Sequence, residues 1–109
     1  MEQLNKVELR GIIGNARVFS VGDGEIVRFS VATNYTFKDT GGNNIIETTW
    51  HQVIACSGGK MPDFSKLVRG AKVAVEGRLR NNKYMTSDGE ERTSVEVYAS
   101  RINLLEEAK

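Results

Sequence analysis

The sequence predicts an all-β fold, a five-stranded barrel with one short helix between strands 3 and 4. Apolar residues alternate with polar ones in five separate runs, the period-two mark of a half-buried strand. Clusters of Gly, Asp, Asn and Ser punctuate these runs as turns. A single stretch, residues 61–69, carries apolar residues at helical spacing instead.

In chain order, the first run places Val7 and Leu9 between Lys6, Glu8 and Arg10. Val21-Gly22-Asp23-Gly24-Glu25 then reads as a tight turn, because glycine accepts positive φ without steric cost. The second run alternates Val27, Phe29 and Val31 with Arg28, Ser30 and Ala32, and a longer polar loop follows at 39–44. The third run, 47–56, holds Thr48, Thr49, Trp50, Val53 and Ile54, types that suit a pleated surface. Residues 61–69 supply the helix: Pro62 suits a first turn, Phe64, Leu67 and Val68 are spaced helically, and Gly70 stops it. The fourth run, 71–80, sets Val73, Val75 and Leu79 on one face. Ser87-Asp88-Gly89-Glu90 turns a hairpin into the fifth run, 94–104, with Val95 and Val97 on one face. Phe19, Phe29 and Phe64 are expected in the core. This order is that of the OB-fold barrel. An SH3-like barrel has shorter strands and does not usually hold a helix there, and an immunoglobulin-type sandwich calls for about seven strands.

The 109 residues fit one domain, with the barrel at 1–105 and a short end at 106–109. Hydrophobic residues are 39% and charged residues 27%, an ordinary globular balance. No apolar run approaches the roughly 20 residues of a membrane helix. Met1-Glu2-Gln3-Leu4 lacks the basic and apolar segments of a secretory signal, so a cytoplasmic location and no membrane partner are expected. One cysteine, Cys56, and one histidine, His51, leave no ligand set at metal spacing, and no metal or cofactor is expected. A lone histidine on an apolar strand face reads as a hydrogen-bonded core or interface residue. No nucleophile, base and orienting group can be assembled, so the chain does not read as an enzyme. Ser57-Gly58-Gly59-Lys60 lacks the spacing of a phosphate loop. Gly11-Ile12-Ile13-Gly14 follows a strand rather than joining two helices, unlike the KH clamp.

Net charge is +1, so any polyanion must be met by a local basic face rather than by bulk charge. Sequence-blind binding of a single strand needs a basic groove with aromatic platforms, since every base offers a π-face. Arg78, Arg80 and Lys83 form the densest basic stretch, with Tyr84 beside it and Arg69 and Lys72 upstream. On the third strand Trp50, Gln52, Ile54 and Cys56 share one face and His51, Val53 and Ala55 the other. With the second face in the core, Trp50 points outward.

Four ordered pieces carry a resemblance: Asn5-Lys6-Val7-Glu8-Leu9 with Gly11 and Gly14, Phe29-Ser30-Val31-Ala32-Thr33, Glu47-Thr48-Thr49-Trp50-His51, and Val75-Glu76-Gly77-Arg78-Leu79-Arg80. From residue 5 to about 105 the chain resembles the bacterial single-stranded DNA-binding protein family. The resemblance implies an OB fold and sequence-independent binding and protection of single-stranded DNA in replication, recombination or repair. It also implies a homo-oligomer, a tetramer or alternatively a dimer, associated with the nucleoid. Trp50 matches a DNA-stacking tryptophan of the family. Phe37, beside Lys38, falls where a second tryptophan is usual, at the base of the long loop. Tyr84 falls at a third aromatic position, in the hairpin between strands four and five. Cys56 stands where a stacking phenylalanine is usual, and Gln52 where a basic residue is common, so the platform is thinner than the family norm. The expected DNA contacts are Phe37, Lys38, Trp50, Gln52, Cys56, Arg69, Lys72, Arg78, Arg80, Lys83 and Tyr84.

The segment 15–18 is shorter than in the family and lacks its Asp-Pro. Typical members continue into a flexible tail with an acidic tip that recruits enzymes. This sequence ends at Glu106-Glu107-Ala108-Lys109, so recruitment by a tail is not expected. Two other readings compete. One is an OB-fold module like the primosomal replication protein of the N type, acting mainly through protein contacts as a dimer. The other is a docking scaffold that has lost DNA binding through Cys56 and Gln52.

Overall fold

The period-two runs become five long strands: β1 (Val7–Val21), β2 (Gly24–Lys38), β3 (Asn44–Cys56), β4 (Lys72–Met85) and β5 (Glu91–Leu104). The computed structural model in which they are seen describes residues 1–59 and 61–105, so the expected short end at 106–109 lies outside the described residues. The strands close into a barrel in the order β1-β2-β3-β5-β4. Neighbours are antiparallel except β3 and β5, which run parallel through Val53–Val97 and Ile54–Tyr98. This is the five-stranded OB barrel.

Alternation positions the core as expected. Ile13, Val27, Phe29, Val31, Val53, Val73, Val75, Val97 and Ile102 point inward and are at most 3% exposed. Burying each such side chain contributes roughly 1.5–3 kcal/mol. Two hairpins run beyond this core, to the end pairs Lys38–Asn44 and Met85–Glu91. They exceed the runs read from sequence because water reaches both faces there, and the one-sided alternation that marks a strand fades.

Three expectations are corrected. The loop at 39–44 is a short turn, since β3 begins at Asn44. The Asp39 carboxylate accepts the N–H groups of Gly41 and Asn43 at 2.9 Å each, closing the turn as an Asx motif. The helix at 61–69 shrinks to one 3₁₀ turn, Phe64–Lys66, capped by Asp63, whose side chain accepts from the Ser65 N–H at 3.0 Å. Phe64 and Leu67 alone find the interior, and their spacing of three suits the 3.0-residue 3₁₀ repeat while Val68 stays exposed. Phe19 is not in the core: it is 43% exposed. A β-bulge between Ile13 and Ala16 sets two residues of β1, Gly14 and Asn15, against one of β2, Ser30, between the Ile13–Val31 and Ala16–Phe29 pairs. The extra residue exchanges the inward and outward positions and turns Phe19 out. Among the described residues no helix is long and apolar enough to cross a membrane.

Candidate nucleic-acid interface

Trp50 sits on the outer wall of β3, opposite Ala32 of β2, and is 56% exposed. With Val53 and Ala55 inward, alternation forces it out, together with Gln52 and Cys56. Its seat is Gly14: a Cβ there would collide with ring atom Cζ3, lie 2.9 Å from Cη2 and 3.0 Å from Ser30 Oγ. The indole therefore rests on backbone at one edge while much of its surface faces solvent. Ser30 Oγ accepts the Asn15 N–H at 3.1 Å, which ties the bulge beside that seat. Gly14, Asn15, Ser30, Trp50, Gln52 and Arg69 line one groove.

Farther along the wall lies a second cluster. Register aligns Arg28 of β2 with Ile54 of β3, Ile54 with Tyr98 of β5, and Tyr98 with Arg78 of β4. Glu96 is 4% exposed, and its carboxylate meets Arg80 at 2.9 Å and Arg28 at 3.3 Å. A buried carboxylate requires such partners. Two guanidinium groups share the one carboxylate, so the cluster keeps net positive charge. Arg78 and Arg80 also lie over the Tyr98 ring, 5.1 and 5.0 Å from its centroid. Cys56 Sγ is 3.4 Å from the Tyr98 hydroxyl. That hydrogen bond is the chief reason the phenol sits above its ordinary pKa, against the opposing pull of Arg80 and Arg78.

Of the expected contacts, Trp50, Gln52 and Arg69 share the first groove, and Cys56, Arg78 and Arg80 share the second cluster. Lys72 lies in one transverse row with Ile12, Ala32 and Trp50, across β4, β1, β2 and β3. Phe37 and Lys38 end β2 at the base of the 39–43 turn, as expected, and so lie near the tip of the long β2–β3 hairpin. Phe37 opposes Ile45 and leans on Tyr35 at 6.1 Å, on the ladder face opposite to that of Trp50. Tyr84 is exposed on the β4–β5 hairpin opposite Arg92, while its neighbour Lys83 turns to the other face and pairs with Glu91 at 3.7 Å.

The sequence reading missed Asn15, Arg17, Arg28 and Glu96 and left Tyr98 undecided. For Tyr98 the signal was available: it stands between the buried Val97 and Ala99, so alternation points it out. His51 Nε2 shares a 2.8 Å hydrogen bond with Thr33 Oγ1. Among the described residues no carboxylate bonds the ring to orient it as a base, and no three His, Cys, Asp or Glu side chains are grouped as metal ligands.

Comparison with known proteins bears on this wall. The chain matches the model of the single-strand binding protein family over residues 4–105. Among curated relatives, the single-stranded DNA-binding protein of Xanthomonas axonopodis pv. citri is 37% identical over 106 residues, covering 94% of this chain and 58% of the relative. That of Neisseria meningitidis serogroup A is 36% identical, covering 94% of this chain and 60% of the relative. The chain thus spans 58–60% of the length of these relatives. Among solved structures, the Plasmodium falciparum SSB complex with ssDNA aligns with a TM-score of 0.77 at 24% identity, covering 97% of this chain and 98% of the other. A deletion mutant of the single-stranded DNA binding protein from Thermus aquaticus aligns with a TM-score of 0.76 at 25% identity, over 94% of this chain and 51% of the other.

Proposed function

The chain belongs to the single-strand binding protein family, and from that premise we propose that it binds single-stranded DNA without sequence preference and does no chemistry on it. It covers and protects strands exposed in replication, recombination or repair. The observation that carries this reading is Trp50, an indole backed by Gly14 and open to solvent in a groove edged by Asn15, Gln52 and Arg69. A base covers that ring at a gain of about 1–3 kcal/mol. Any base has the same π-face, so the contact is blind to sequence. The amides of Asn15 and Gln52 meet whatever polar edge follows, and Arg69 takes a phosphate. Arg78 and Arg80 take further phosphates along the wall. Phe37 with Lys38, Lys83 with Tyr84, and Lys72 extend the contact surface onto the hairpins and around the barrel.

The protein acts as a homotetramer in the cytoplasm, at the nucleoid. The test is a titration of Trp50 fluorescence with oligo-dT at low and high salt. Binding quenches the indole and weakens with salt, with a slope near −0.7 per phosphate contact. Trp50→Ala, followed by the anisotropy of a labelled oligomer, weakens binding by about 1–3 kcal/mol. No quenching at low salt with micromolar DNA overturns the reading in favour of a protein-docking barrel.

A further inference from the structure

The groove at Trp50 does not end there. A neighbouring groove is lined by Asn15, Arg17, Phe19, Arg28, Ser30 and Gln52, so the two share Asn15, Ser30 and Gln52 as a common wall. The bulge that turned Phe19 outward places it at the far end, opposite Ile26, which in turn opposes Cys56. Arg17 opposes Arg28 in the intervening row. Arg17 has no acid partner among the described residues, and Arg28 shares its one acid, Glu96, with Arg80. From Trp50 to the Cys56 row is six residues of β3, about 20 Å at strand rise, a span of several nucleotides.

Resting on the single-strand reading above, we infer that Phe19 is a second base-stacking residue and that Arg17 and Arg28 hold the phosphates between it and Trp50. The pattern commits the groove to a single strand rather than to a protein segment. Ring, paired cations, amides and ring follow one another along the two adjoining grooves, no acid is among the described residues that line them, and Glu96, the partner of Arg28, is itself buried. Phe19 also supplies a ring in the row where Cys56 offers none.

The test moves the chain's single tryptophan. In the double variant Trp50→Phe, Phe19→Trp the first stacking ring is kept and fluorescence reports only from position 19. Labelled oligo-dT long enough to span both grooves is followed at once by anisotropy. Binding seen by anisotropy with quenching of that tryptophan supports the inference. Phe19→Ala weakens binding of the same oligomer roughly 5- to 150-fold, the equivalent of one stacked base. Arg17→Ala makes the salt slope shallower by about 0.7. Full binding by anisotropy without quenching, together with wild-type affinity in Phe19→Ala, overturns the inference and leaves the Trp50 site standing. If wild-type protein does not bind the oligomer at low salt, the single-strand reading itself fails, and this inference with it.

Discussion

At the scale of single residues, the site depends on a side chain that is absent. Gly14 has no positive φ, so its requirement is space and not backbone freedom. A methyl there would strike the Trp50 ring and press on Ser30 Oγ. Because Trp50 is largely in solvent, it can swing away at little cost to the fold, but it then loses the backing that holds its face open. Gly14→Ala is therefore expected to melt within a few degrees of wild type while binding oligo-dT up to about tenfold more weakly, part of one stacked base. Differential scanning fluorimetry beside a fluorescence titration checks both halves. Wild-type affinity in a folded Gly14→Ala protein would show that the seat does not orient the ring.

At the scale of elements, the turn at the tip of the β2–β3 hairpin is closed by one carboxylate. The N–H groups of Asn43 and Gly41 point at Asp39, and these bonds, that of Asn43 foremost, hold its pKa below the ordinary 3.8. Between the lowered folded value and the unfolded one, the unfolded chain binds more protons, so stability falls as pH falls. The contribution is fully present above the unfolded value and is lost as acid passes the folded one. Amide exchange at Asn43 and along the hairpin end should therefore quicken, relative to intrinsic rates, from about pH 5 to about pH 3. Asp39→Ala should show the opened turn already at neutral pH. Protection that ignores both changes would mean the hairpin is held elsewhere. What the sequence showed of these elements follows the same physics. Val27, Phe29, Val31, Val53 and Ala55 alternate against a dry interior, so the core face, and with it the outward Trp50, was legible. The bulge was not. It inserts one residue without changing composition, and so Phe19, six residues after the inward Ile13, read as core. The length of the hairpins was hidden for a third reason: with water on both faces, Tyr35 and Phe37 carry no one-sided pattern, although Phe37 does stand at the base of the turn, as read.

At the scale of the whole molecule, the barrel's sides close by hydrogen bonds, but its interior must also be stopped at an end. The crossing from β3 to β4 does this with two side chains, Phe64 and Leu67, each 2% exposed and packed on the core cluster. The same crossing is stitched to β1 at the bulge, where the Gly70 N–H donates to the Ile13 carbonyl at 2.8 Å and the Ile13 N–H donates to that of Ala71 at 2.9 Å. The crossing thus supports the segment that presents Gly14, Asn15, Arg17 and Phe19, and its Arg69 reaches the groove at Trp50. Phe64→Ala leaves a cavity that one 3₁₀ turn cannot collapse to fill, and is expected to cost about 3–5 kcal/mol. Against a total of about 5–15 kcal/mol this is a large share. At about 4 °C or more per kcal/mol for a domain near this size, the melting point should drop by at least about 12 °C. Phe64→Leu, which refills most of the volume, should recover the greater part. Urea unfolding at unchanged m-value checks the first number, and oligo-dT affinity corrected for the folded fraction should stay at wild type in Phe64→Leu. A loss below about 1 kcal/mol in Phe64→Ala would place the stop of the barrel elsewhere than in this crossing.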